Sequence, residues 1–585
     1  MSAYLARTKS TPFATTASLS VLLVTGLVGV VPAVTVALAG GVASKLIVML
    51  ITLLTVGIVY LAVAYVLDAL RIGTYVAMFV LSTFAANVPL AGDQYFRFIP
   101  GSLGPQVWLV QAPLLLLVLW LAYDGAFTRD SITRIELTFA AFVTWSVFSA
   151  LLGSGPRTDI ALYFSWLQFQ AFVLFMVVRR GVEREEITLP TTVLTYAIAI
   201  VGHVAFSVAQ LWTQKPIGVS YLGESIAWNP VSYPLLDVSN RVIVSGLTGH
   251  GYVLVGLVLL SFPGMLWIAA YMGGRYGSMS LIGAVAAAVI LRLTTSDAGR
   301  GAFLILLVSL AVGILLIFKH GNGDQIFELE NSRTMVAKHR NQAALYALSF
   351  VVTVTSILFP SNKSNTAIED VSNVGSNPTT SPAENTQGPP PSGSENVSTN
   401  GSNPTTSPAE NTQGPPLSGT TEYGGDLSVP FFNLKNLGFR FQQYVVGLDI
   451  FRRNPMFGIG GGNYPHVARE YGVQNKLHIP IPHALHNIYI MLLAETGLPG
   501  FLLYFLTVAL VCHSGLRSII DGNRPYLHLS VLAGLVAYLS FAFFAHPLDK
   551  LTALFPFWAF AAALVGDHRR GVVTGEIDMS GHTER

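Results

Sequence analysis

The chain has 585 residues, of which 52% are apolar and only 11% charged, with a formal net charge of +2. Soluble domains carry about 25% charge, whereas here apolar runs of about 18 residues or more, each enough to cross a bilayer, recur from end to end. That excludes a secreted soluble protein, a collagen-like chain and a nucleic-acid-binding protein, and the single cysteine, Cys512, allows neither an internal disulfide nor a multi-thiolate metal site.

In chain order, the runs predict membrane helices near 19–40, 46–66, 72–90, 107–123, 135–153, 161–178, 188–211, 250–272, 280–293, 301–318, 341–359, 486–513, 526–545 and 550–566. Lipid cannot satisfy backbone polar groups, so long non-alternating runs read as helices and the fold as all-α and polytopic, with about fourteen spans. The first run ends in Val36-Ala37-Leu38-Ala39, similar to a signal-peptidase site. It is longer than the ~7–15 apolar residues of a signal peptide, so it reads as a retained span. Lys and Arg concentrate on cytoplasmic loops. Arg71, the Arg179-Arg180-Arg184 cluster, Arg275, the Lys319–Arg340 loop and Arg569-Arg570 all fall inside if both termini are cytoplasmic. The protein is expected in the plasma (inner) membrane, with 360–485 outside. His203, Gln168 and Gln210 are among the few polar residues within spans. His203 reads as a packed interhelical hydrogen bond rather than a relay member.

The segments expected are 1–190 and 191–359 (membrane helices), 360–425 (insert), 426–485 (ordered outside segment), 486–566 (C-terminal helices) and a 567–585 tail. The insert turns to Ser, Thr, Asn, Gly and Pro, and Gly375–Pro390, GSNPTTSPAENTQGPP, recurs directly as Gly401–Pro416. Such composition cannot bury enough apolar surface to offset chain entropy, so disorder is predicted. Asn362, Asn396 and Asn400 begin acceptor sequons for N-glycosylation. After the insert, Leu437, Phe441, Tyr444, Val445 and Leu448 recur at helical spacing and predict an amphipathic helix over 436–451. Asn454 to Tyr464, with glycines at 458 and 460–462, lacks the Walker Lys-Ser/Thr and reads as a tight surface loop.

The strongest chemical signal begins at His486-Asn487 and closes at Gly497 and Gly500, the pattern H-[NSQ]-x9-G-x-x-G. It falls where the long outside segment returns to the membrane. This resembles the O-antigen ligase and O-antigen polymerase superfamily of polytopic glycosyltransferases. Thr294–Leu310 is similar to that family's Ser-Arg-Gly-Ala segment, although Asp297-Ala298-Gly299 separates Ser296 from Arg300. Arg241–Gly246 resembles its Arg-x-x-Gly segment with altered spacing, and Asn454–Tyr464, with Arg440 upstream, resembles the loop before the histidine motif. The likeness runs from about 190 to 566.

The resemblance implies a GT-C-like membrane fold and an inverting transfer without metal or other cofactor. A glycan would pass from a polyprenyl-diphosphate carrier to a hydroxyl of a glycan, lipid or protein acceptor at the outer face of the lipid bilayer, with no nucleic acid involved. The residues suit the task. Guanidinium groups neutralise a departing diphosphate bidentately without titrating, a role that fits Arg300, Arg241 and Arg440. An acceptor hydroxyl needs a positioned base, and imidazole titrates in the operating range. His486 fits that role, with Asn487 or His483 orienting it, and Gly497 and Gly500 permitting a helix break and close packing. The alternative for Arg300 is a snorkelling arginine or a partner of Asp297. No HExxH, Cys-rich or paired-carboxylate arrangement with metal or glycosidase context is present. A lipid-linked-glycan flippase is the competing class. It would line its midplane with polar residues in repeated halves, whereas the polar residues here gather at the outer boundary.

Overall fold

The computed structural model describes residues 70–89, 106–127, 132–213, 227–233, 238–248, 250–272, 274–294, 297–320, 434–475, 484–521, 524–545 and 550–573, with single residues 217 and 477. The runs at 19–40, 46–66 and 341–359, the insert, His483 and the C-terminal tail beyond 573 lie outside the described residues.

Thirteen helices are described: α1 (Leu70–Ser82), α2 (Gln111–Tyr123), α3 (Arg134–Leu152), α4 (Thr158–Glu183), α5 (Leu189–Thr213), α6 (Gly251–Tyr271), α7 (Gly274–Leu293), α8 (Asp297–His320), α9 (Leu434–Arg453), α10 (Tyr464–Gln474), α11 (Ile488–Asp521), α12 (Pro525–Phe541) and α13 (Leu551–Val573). Among the described residues seven of them, α3–α7, α11 and α13, are long and apolar enough to cross a membrane, and α1, α2, α8 and α12 contribute shorter apolar stretches. The run read as ending at 272 and its short neighbour at 280–293 are two full helices, α6 and α7, and Gly274 starts the second at φ 53°.

The described residues are mostly helical, as expected, and two short hairpins join the helices. The run read as 72–90 stops at Ser82, and Asn87–Pro89 (β1) pairs antiparallel with Gln106–Trp108 (β2), Val88 opposite Val107. Ala227–Tyr233 (β3) and Val238–Ile243 (β4) form a second hairpin, Ser232 opposite Ser239. A hairpin satisfies its backbone groups within itself, which lets the chain leave the helical bundle between spans.

Helix α13 is the axis of the bundle and packs against α1, α4, α5, α6, α11 and α12. Its Trp558 is fully buried, 4.2 Å centroid to centroid from Phe139 of α3 and among Phe175, Tyr504 and Phe557. Small residues allow the closest approaches, as lipid offers no hydrophobic drive to bring helices together. A Cβ at Gly566 would lie 2.8 Å from the Arg179 carbonyl oxygen, and one at Gly534 would lie 2.5 Å from that of Leu260. His203 acts as a packing hydrogen-bonder: its Nε2 is 2.9 Å from Thr83 Oγ1 and its Nδ1 accepts from Leu247 N–H at 3.2 Å. Gln210 similarly accepts from the N–H groups of Ser245 and Gly246.

The two ends of the bundle differ in chemistry. At one end Arg179, fully buried, pairs with Glu136 at 2.8 Å and with Glu183, and Arg180 reaches Glu136 at 3.4 Å. His528 and Arg570 meet Asp567 at 2.9 and 3.2 Å, and Arg569 meets Glu183 at 3.4 Å. Arg71 and Arg184 share Asp124 and Glu186 beside them. Arginines read as a loop cluster are therefore structural, and two of them are interior. The opposite end carries His250, His486 and Lys550.

Removing one partner of a buried ion pair leaves its mate uncompensated and costs about 3–5 kcal/mol. Glu136→Gln, which removes the carboxylate on α3 and leaves Arg179 and Arg180 paired with Glu183, should lower stability by up to that amount in detergent-solubilised thermal unfolding. Asp159→Asn breaks the more exposed Arg157–Asp159 pair (2.8 Å) and should cost about 0–1 kcal/mol. Equal melting temperatures for the two variants would contradict the network's structural role.

Candidate active site

Four segments build the site: helix α9, the glycine loop, α10 and the start of α11. Helix α9 forms where periodicity places it, but its buried face is not the apolar stripe. Phe441, Val445 and Leu448 are 57%, 49% and 47% exposed, whereas Gln443, Tyr444, Val446, Gly447 and Ile450 face the bundle. Periodicity finds an apolar stripe without saying whether protein or lipid covers it, and small and polar residues are what pack between helices in a membrane. Gly447 is one of them: a Cβ there would lie 2.4 Å from Leu485 Cδ1.

The loop read as a surface feature is also interior. Gly458, Gly460 and Gly462 adopt φ of 67°, 83° and 76°, as glycines permit, but Gly458, Ile459, Gly460 and Gly461 are buried between α3, α4 and α11. The reason lies in α11. Its helix breaks at Gly497 (φ 70°, ψ −178°), which frees carbonyls in the preceding turn. The loop satisfies them: Ile459 N–H donates to Ala494 O at 3.0 Å and Gly460 N–H to Glu495 O at 2.8 Å. Beyond the break, Leu498 N–H returns a bond to Pro455 O at 2.8 Å. From α3, Trp145 Nε1 donates to Thr496 O at 2.9 Å, and Ser149 Oγ lies 2.9 Å from Glu495 O and 2.6 Å from Phe457 O. Non-helical backbone at membrane depth persists only with such internal partners. A Cβ at Gly497 would stand 2.2 Å from Met456 O, and one at Gly500 2.3 Å from Thr496 Oγ1, so both positions are packing constraints.

Glu495, buried just before the break, accepts from Tyr464 N–H at 3.1 Å, a carboxylate at the start of α10 where the helix dipole favours it. The Tyr464 hydroxyl donates to Gln443 O at 3.2 Å, and Gln443 Oε1 lies 3.0 Å from His486 Nδ1. The Tyr444 hydroxyl is 3.1 Å from the carbonyl oxygens of both His486 and Phe543. Asn487 caps its own helix, accepting from Tyr489 and Ile490 N–H at 2.9 and 3.0 Å, so its oxygen serves the backbone while Gln443 meets the imidazole.

Three helices start around His486. His250 is the N-cap of α6, and its side chain accepts from Tyr252 N–H. Lys550 precedes α13, with Nζ 5.2 Å from the Tyr252 ring centre, and Thr552 Oγ1 donates to Thr248 O at 3.3 Å. Burial, then the neighbouring Lys550 and His486, hold the His250 imidazole down at about pKa 3, which keeps it neutral under physiological conditions. Arg440 lies over Phe544 at 5.8 Å. Arg300 is in the first turn of α8, and Arg241 is on β4. Their side chains, like His483, are outside the described residues. Their backbones belong to the same end: Gly313, late in α8, approaches Leu529 near the start of α12, which places Arg300 at the end opposite His528. Gln443, Glu495, His250 and Lys550 were missed in the sequence. Only Glu495, an acid inside an apolar run, carries a signal that marks it.

The apolar helices mark a polytopic membrane protein, with a cluster of polar and basic side chains at the starts of several of them. Residues 257–505 match the family model described as O-antigen ligase, so this part of the chain is similar to that superfamily. The matched segment contains Arg300, Arg440 and His486, and stops short of Arg241 and Lys550. No curated protein matches the chain.

Left-handed backbone at a non-glycine residue costs about 1–3 kcal/mol before any clash is counted. Gly497→Ala should therefore destabilise the protein by at least that much in detergent unfolding. Gly202→Ala, on α5 with nothing within 4 Å of the new Cβ, should be neutral or slightly stabilising. Indistinguishable stabilities would contradict the break at Gly497.

Proposed function

We propose that the protein is a membrane glycosyltransferase that moves a glycan from a polyprenyl-diphosphate carrier to an acceptor hydroxyl at the outer face. The observation that carries this reading is the His486–Gln443 pair at converging helix starts, within the segment that matches the O-antigen ligase family. Helix N-termini favour anions, and Lys550 and Arg440 add positive charge at the same end.

His486 takes the proton of the acceptor hydroxyl as its oxygen attacks the anomeric carbon. The new carbon–oxygen bond forms as the bond to the carrier breaks, and the electron pair leaves with the diphosphate. A single displacement from the opposite side inverts the anomeric centre. Arg300, Arg241 and Arg440 neutralise the leaving diphosphate, so that protein charge rather than a metal stabilises the transition state. The His486 end is outside and the ionic end cytoplasmic, because the latter holds the arginines of the cytoplasmic loops. Ligase, polymerase and protein O-oligosaccharyltransferase share this chemistry and differ in acceptor. In a gene deletion, long lipid-linked chains without attachment identify a ligase, and single repeat units a polymerase.

Removing a general base lowers turnover by about 10²–10⁴-fold. With purified protein, a lipid-diphosphate donor and membrane extract as acceptor, His486→Ala should show that loss with donor affinity nearly unchanged. Arg300→Lys should also be impaired, because an ammonium cannot reproduce the bidentate fork. Wild-type turnover in His486→Ala would overturn the catalytic assignment, and full activity in Arg300→Ala would move the diphosphate towards Arg241 and Arg440.

A further inference from the structure

A histidine acts as a base through one nitrogen only, and the partner of the other nitrogen decides which. The partner here is 43 residues away in sequence. Gln443 is fully buried on the inward face of α9, and its Oε1 lies 3.0 Å from His486 Nδ1. A carbonyl oxygen only accepts, so Nδ1 bears the hydrogen and Nε2 the lone pair. The glutamine is itself held. The Tyr464 hydroxyl donates to its backbone carbonyl, and Glu495 anchors Tyr464 by accepting from its N–H. Tyr444, the next residue on α9, lies within 3.1 Å of the His486 backbone carbonyl. Side chain and backbone of His486 are thus fixed by consecutive residues of one helix.

Packing alone does not account for Gln443. Its Nε2 is buried and has no hydrogen-bond partner among the described residues, a cost an apolar side chain of the same size would avoid. The oxygen that meets the imidazole is what the site gains from it.

We propose that Gln443 is the positioning residue for His486, holding the imidazole in the tautomer whose Nε2 removes the acceptor's proton. The inference rests on the assignment of His486 as the base. The amide is neutral, unlike the carboxylate of a Ser-His-Asp triad. It orients the ring without electrostatically favouring its protonated form, so the base stays deprotonated to lower pH than it would beside an acid.

The test is the pH dependence of kcat/KM for glycan transfer by the full-length protein in Gln443→Glu, Gln443→Leu and His486→Ala, with thermal unfolding measured for each. Glutamate can still accept from Nδ1–H but favours the imidazolium. The acidic limb should therefore move to higher pH by about 1–3 pH units, with activity recovered above it. Leucine cannot accept, and kcat should fall by roughly tenfold or more with donor KM unchanged. A wild-type profile in both Gln443 variants, with His486→Ala inactive, would overturn the positioning role alone. Full activity in His486→Ala would overturn the base assignment instead. A loss of Gln443→Glu activity that raising the pH does not recover, in a variant that melts like wild type, would also contradict the proposed tautomer.

Discussion

The break in α11 at Gly497 is the constraint on which the rest of the site depends. A helix interrupted at membrane depth must find partners for the carbonyls it frees. Ile459, Gly460, Trp145 and Ser149 supply those partners from the glycine loop and α3. Meeting that demand pins the loop in the interior, and the pinned loop sets where α10 starts. Through Tyr464 and Gln443 the constraint reaches His486, eleven residues before the break in sequence. Histidine and glycines of the motif thus answer one geometric problem. The glycines shape the frame, and the histidine stands where the frame holds it.

The two ends of the bundle divide the work. At the ionic end, buried arginines and carboxylates neutralise one another over short distances, which fixes α3, α4, α12 and α13 together. At the histidine end, the positive groups lie beside helix starts, where the backbone adds partial positive charge of its own. A bundle clamped at one end leaves the other to present polar groups at its boundary.

Much of this fold was legible in the sequence because apolar run length reports membrane helices directly. The run read as 135–153 is Arg134–Leu152, and the amphipathic helix read as 436–451 is Leu434–Arg453. What periodicity cannot reveal is which face meets protein, and α9 therefore turned out to expose Phe441, Val445 and Leu448. Arg179 and Arg180 look like a loop cluster because Glu136, the carboxylate both reach on α3, is distant in sequence. The candidate site is visible in the sequence at His486, whose spacing to Gly497 and Gly500 is local. It was not legible at Gln443, because a hydrogen bond across 43 residues leaves no trace in spacing. The hairpins were missed because their short strands follow or separate apolar runs that dominate the reading.

The central claim is that the lipid-linked diphosphate binds at the histidine end and reacts beside His486. The most direct measurement is a single-particle structure of the full-length protein in nanodiscs with a non-hydrolysable polyprenyl-diphosphate glycan analogue. The account predicts diphosphate density among the starts of α6, α8, α11 and α13, with the anomeric carbon facing the His486 side chain. Density for the headgroup at the opposite end, against Arg179, Arg180 and Arg569, would contradict it.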